Sequence, residues 1–146
     1  MAQTSHRRPT PQRRIEAECD RRGHAEVVAT CGQRIRGEGV DPLLLRSLVG
    51  PGVEKFLDGE EHTDTYWLRV WGARGLLWAW DGSEVDALAA TLTDEAWRVR
   101  EMGAKVVARH LVVDLLVQVS QLSSDPVPRV RVAANRAVAG ITEAGT

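Results

Sequence analysis

Lysine is nearly absent from this chain: Lys55 and Lys105 are the only two among its 19 basic residues, and the rest are arginine. That skew fits a GC-rich coding sequence better than a chemical demand. Cysteine is scarce as well. Cys19 and Cys31 do not form a Cys-x-x-Cys pair, so no disulfide framework is expected and a reducing compartment fits. No apolar run reaches the ~18 residues that span a bilayer. The basic N-terminus lacks the apolar stretch of a secretory signal. These absences predict a cytoplasmic protein. A formal charge of −1 sets up no global field towards nucleic acid or membrane. Phosphate-binding loops, nucleophile elbows and paired-carboxylate motifs are missing too. The sequence therefore assigns no catalytic residue and no cofactor.

What is present is repetition. The segment from Arg98 to Ala108 aligns with that from Arg129 to Ala139 at an offset of 31 residues, and one step back it meets Trp67 to Leu77. Three matched segments at one period predict stacked helical repeats. Each segment carries an apolar stripe at i, i+3, i+4, i+7, i+8. The stripes are Leu68, Trp71, Gly72, Gly75, Leu76 and Ala79; Val99, Met102, Gly103, Val106, Val107 and His110; and Val130, Ala133, Ala134, Ala137, Val138 and Ile141. Small residues recur at 72, 103 and 134. A glycine inside a helix costs about 1 kcal/mol relative to alanine, so close helix packing is the expected compensation.

Along the chain, residues 1–11 read as a disordered basic tail. Residues 12–143 read as a single domain, with an irregular helical N-terminal cap over 12–59 and regular repeats over 65–141. Helices are expected over 12–22 and 25–36, with a break at Arg22-Gly23. Another should start at Asp41-Pro42 and carry Leu43, Leu44, Leu45 and Leu48. The regular part should hold helices over 65–80, 84–92 (capped by Ser83), 95–110 (capped by Asp94), 112–123, and from Asp125-Pro126 to about Ile141.

Asp94 with Val99-Arg100, and Asp125 with Val130-Arg131, resemble the HEAT repeat. The short period is similar to the HEAT-like repeats named after phycobilisome lyases. The resemblance implies that Asp94, Arg100, Asp125 and Arg131 form a hydrogen-bond ladder between repeats. It also implies a frayed first rung, because Thr63 stands at the aspartate position, with Asp64 one residue off, while Arg69 is kept. Enzymes exist in this class, but the residues do not follow them. Deoxyhypusine hydroxylase uses repeated His-Glu pairs, and this chain has only Glu61-His62. HEAT-like DNA glycosylases use Trp, Asp and Arg, and no aspartate here is left over for catalysis. Nothing marks a bilin site.

Four groups of residues are candidates for function. Arg98, Lys105 and Arg109 share one flank of their helix, Arg129 and Arg136 repeat it one unit on, and Arg74 one unit back. Together they would make a positive strip for an acidic partner or phosphates. The plainer alternative is a row of solvated charges, partly neutralised by Glu101. Trp67 and Trp78 lie on the flank of Arg74 and could anchor a partner; the alternative is that they pack against the N-terminal helices. Cys19, His24 and Cys31, with Asp20 or Glu26, fall short of a four-ligand metal site, so they read as packing residues and no metal is assigned. The basic residues His6, Arg7, Arg8, Arg13 and Arg14 could touch nucleic acid.

The sequence thus predicts an all-α, right-handed superhelical stack of antiparallel helix pairs, a HEAT-like α-solenoid. Its expected function is non-catalytic: a scaffold binding an acidic protein through a basic, Trp-flanked surface. Nucleic-acid binding, related to the glycosylases, is the alternative. The apolar flank of the last helix (Val127, Val132) adds an expected route to self-association.

Overall fold

Thr10 starts the first helix. Its hydroxyl accepts the Arg13 N–H at 3.2 Å, and Pro11 fills the first helical position, where a missing N–H does no harm. The computed structural model describes residues 10–38 and 66–145, and every regular element among them is helical. These elements are α1 (Pro11–Arg22), α2 (His24–Ile35), α3 (Tyr66–Gly75), α4 (Val85–Thr91), α5 (Trp97–His110), α6 (Leu116–Gln121) and α7 (Pro128–Ala144). Short 3-10 turns, Val113–Leu115 and Leu122–Ser124, flank α6. The helix expected at Asp41-Pro42, the Val53–Leu57 segment, Glu61-His62 and the Thr63–Asp64 position lie outside the described residues.

Gly23 separates α1 from α2 with a φ of 97°, a conformation that favours glycine. The boundaries further on differ from the sequence reading for local reasons. The helix expected over 65–80 stops at Gly75. Beyond it the amides of Leu76, Leu77 and Trp78 bond three residues back, so the chain tightens into turns. The carbonyls that a longer helix would use are taken elsewhere: Leu76 O accepts from His110 Nε2 at 2.7 Å, and Trp80 O lies 3.0 Å from His24 Nε2. Ser83 does not cap α4. Its N–H and hydroxyl both donate to Asp81 Oδ1, at 2.9 and 2.6 Å. The segment 112–123 is three pieces rather than one helix. Finally, α7 starts at Pro128, not Pro126, and runs to Ala144.

The helices pack in a simple order. α2 lies against α3, α3 against α5, and α5 against α7, while α4 rests on α2 and α5 and α6 rests on α7. The core consists of the stripe residues, among them Leu76, Val99, Val106, Val107, Val130, Ala134 and Ala137, together with Ile15, Val27, Val28, Leu88 and Leu92. The small residues sit where backbones approach. A Cβ on Gly72 would lie 3.1 Å from the Cys31 carbonyl of α2, and one on Gly103 would press into Thr91 of α4. No helix among the described residues is long and apolar enough to cross a membrane.

Candidate functional site

Two aspartates precede helices by the same distance and do the same two jobs. Asp94 Oδ1 accepts the Ala96 N–H at 2.8 Å, and Asp125 Oδ1 accepts the Val127 N–H at 2.9 Å. Neither is the helix cap expected of it. The cap positions are Ala96 and Val127, and the carboxylates close the turns just before them. Each carboxylate also receives a two-pronged arginine from the preceding unit. Arg69 Nε and Nη2 reach Asp94 at 2.7 and 3.2 Å, and Arg100 Nε and Nη2 reach Asp125 at 2.7 and 3.2 Å. Arg100 Nη1 in turn donates to the Asp94 carbonyl at 2.8 Å, and Arg131 Nη1 donates to the Asp125 carbonyl at 2.7 Å. Burial alone would raise the pKa of Asp125, but the Arg100 bond, the Val127 amide and two arginine charges hold it below the usual carboxylate range.

The strip residues fall into three places. Arg98 lies 5.3 Å over the Trp67 ring and 4.4 Å over the Trp97 ring, held between two indoles. Trp67 itself stacks on Tyr66 and Trp71. Arg129 lies 5.2 Å over Trp97 and donates through Nε and Nη2 to Glu101 at 2.9 and 3.2 Å. Lys105 Nζ is 3.8 Å from the same carboxylate. An alternating column of aromatic and charged side chains therefore climbs from α3 to α7. Each cation–π contact contributes about 0.5–1 kcal/mol at such exposure, so Arg98 and Trp67 serve the stack. Arg74 stands apart, half-buried beside Arg14 of α1, where burial and then the Arg14 charge lower its pKa. Arg109 and Arg136 are exposed and hold no carboxylate among the described residues. Trp78 packs on the core rather than facing a partner.

What remains open is a groove of about 520 Å³ between α5 and α7, lined by Glu101, Lys105, Ala108, Pro128, Arg129, Val132, Ala133 and Arg136. Its floor is apolar, with Val132 50% exposed. Its rim carries three cations against one carboxylate, and that carboxylate is buried. The sequence reading placed Lys105, Arg129 and Arg136 on one surface but missed Glu101 as its hub. A signal existed: Glu101 stands where the neighbouring units have Val70 and Val132. A second hollow, of about 500 Å³, lies over the Arg69–Asp94 pair and also borders Arg36. Those two arginines are already engaged, with Asp94 and with Glu38 and Glu84.

The remaining candidates sit away from this groove. Both cysteines are free, and burial, with smaller effects of Cys19 and Glu84, pushes the Cys31 thiol up to about 12. The described residues contain no group of three or more His, Cys, Asp and Glu placed to hold a metal ion. Arg21 and Arg22 both pair with Glu18. His6, Arg7 and Arg8 lie outside the described residues.

His110 offers a measurable consequence. Its ring stacks on Trp80 at 5.3 Å, and its Nε2 must carry a proton to donate to the Leu76 carbonyl. Burial, aided by the Arg109 charge, lowers its pKa despite that bond. A histidine depressed in the fold binds fewer protons there than in the unfolded chain. Its contribution is full above about pH 6.5 and shrinks as pH falls through the folded value. Melting temperature should therefore hold between pH 7 and 8 and fall below about pH 6.5. His110→Gln, which keeps a donor but cannot titrate, should flatten that decline; an unchanged decline would place its cause elsewhere.

Searches of family models, curated proteins and solved structures found no match to this chain.

Proposed function

We propose that this chain is a HEAT-like stack of helical repeats and acts as a non-catalytic interaction module, taking an acidic, partly apolar polypeptide into the groove between α5 and α7. The groove itself carries the reading. Its floor of Ala108, Pro128, Val132 and Ala133 suits small apolar side chains, while Lys105, Arg129 and Arg136 suit carboxylates at the rim. The consecutive packing of α2, α3, α5 and α7, and the identical arginine–aspartate pairs one unit apart, support the superhelical stack. A cytoplasmic setting fits two free thiols.

Nucleic acid is the less suited partner. Stacking bases would need exposed rings, yet Trp67 and Trp97 are engaged with Arg98 and Arg129. A fluorescein-labelled acidic amphipathic peptide and a labelled DNA duplex, titrated at low and physiological salt, separate the two partners. Peptide binding should survive physiological salt and weaken at least about tenfold in Lys105→Glu/Arg136→Glu. Duplex binding should vanish with modest salt. Peptide binding untouched by the double reversal, or duplex binding that persists in physiological salt, would overturn the reading.

A further inference from the structure

One side of each repeat helix is covered by the next. On α3 that side is Tyr66, Val70, Ala73 and Leu77, buried or half-buried beneath α5; 31 residues on, Trp97, Glu101, Ala104 and Ala108 of α5 are buried or half-buried beneath α7. The same positions on α7 are Pro128, Val132, Asn135 and Ala139, and all four are exposed. The arginine ladder ends at the same place. Arg131 is held like Arg100, its Nη1 on the carbonyl of the preceding aspartate. Yet where Arg100 Nε and Nη2 grip Asp125, those of Arg131 grip no carboxylate among the described residues.

We propose that this side of α7, with Arg131 at its edge, is a docking surface for a helix of another polypeptide that is led by an aspartate. The chemistry of the occupant follows from the two completed rungs. It brings a carboxylate just ahead of a helix, to accept two parallel N–H bonds, and small apolar side chains to lie on Val132 and Ala139. Charge complementarity favours a different chain over a second copy. Among the described residues, the aspartates that precede repeat helices, Asp94 and Asp125, are already used by Arg69 and Arg100, and Asp81 is held by Ser83. The proposal uses Arg131 rather than Lys105 and Arg136, so it stands or falls separately from the groove.

The probe is a labelled synthetic peptide of residues 113–145, the segment whose helix covers α5, titrated into the full chain and followed by anisotropy. A second peptide carries Asp125→Asn. The native peptide should bind, with at least about tenfold loss in the Asn peptide, in protein Arg131→Met and in protein Ala139→Arg. Circular dichroism of the two protein variants should match the parent, since Arg131 and Ala139 lie at the surface edge. Lys105→Glu/Arg136→Glu should retain most of the binding. Equal binding by both peptides, or binding indifferent to Arg131→Met, would mean that the peptide displaces α7 itself or sticks unspecifically, and either overturns the proposal. So would dimerisation of the chain alone at micromolar concentration that Arg131→Met abolishes, because a second copy would then own the surface.

Discussion

Asp125→Ala is expected to destabilise the fold by about 3 kcal/mol, seen as a fall in melting temperature of roughly 10 °C. The Asp125 side chain is 4% exposed and that of Arg100 is 15% exposed, so the substitution strands a guanidinium that water can scarcely reach. It also removes the acceptor of the Val127 N–H, which shapes the turn into α7. Asp125→Asn should cost less, since one amide oxygen can still accept that N–H. Asp94→Ala should also cost less, because its pair with Arg69 is 13% and 27% exposed and water can take over part of the work. Thermal melts of the three variants check the order. An Asp125→Ala protein as stable as the parent would remove the ladder from any role in holding the repeats together.

Gly103→Val carries the second large effect, again about 3 kcal/mol of destabilisation. A Cβ at Gly103 would meet the Thr91 hydroxyl head-on, with the Thr91 Cβ at 2.9 Å and Leu92 Cδ2 at 3.2 Å. Thr91 cannot retreat. It is fully buried, and its hydroxyl donates to the Leu88 carbonyl at 2.6 Å. The chain therefore keeps glycine in mid-helix, against a propensity cost of about 1 kcal/mol, to let α5 close on α4. Thr91→Ala should be damaging alone but should make Gly103→Ala better tolerated, and a double-mutant cycle measures that coupling. Additive effects would mean that the two residues do not share the contact.

The all-helical class was legible because the apolar stripes repeat at helical spacing and the two cysteines require no cross-links. The 31-residue step was legible because it sits in the side chains themselves; the same step separates Arg69–Asp94 from Arg100–Asp125 in space. Helix ends were less readable. Asp94 and Asp125 have the chemistry of caps, but an arginine competes for each carboxylate, and the helices begin later. His110 and His24 draw off carbonyls that would have prolonged α3, a long-range effect that local propensity does not contain. The strip was readable as a flank but not as a surface. Charges on one flank were counted alike, whereas the fold holds Arg98 between indoles, turns Arg74 towards α1 and ties Arg129 and Lys105 to one buried glutamate. Only packing partners tell such arginines apart.

The central claim is that the α5–α7 groove receives an acidic polypeptide. Amide NMR spectra of the labelled protein, recorded while the acidic amphipathic peptide is added, test it most directly. The account predicts shifts concentrated at Lys105, Ala108, Arg129, Val132, Ala133 and Arg136, with α1 and α2 unmoved. Shifts centred on the N-terminal helices, or no shifts at peptide concentrations that saturate the anisotropy signal, would contradict it.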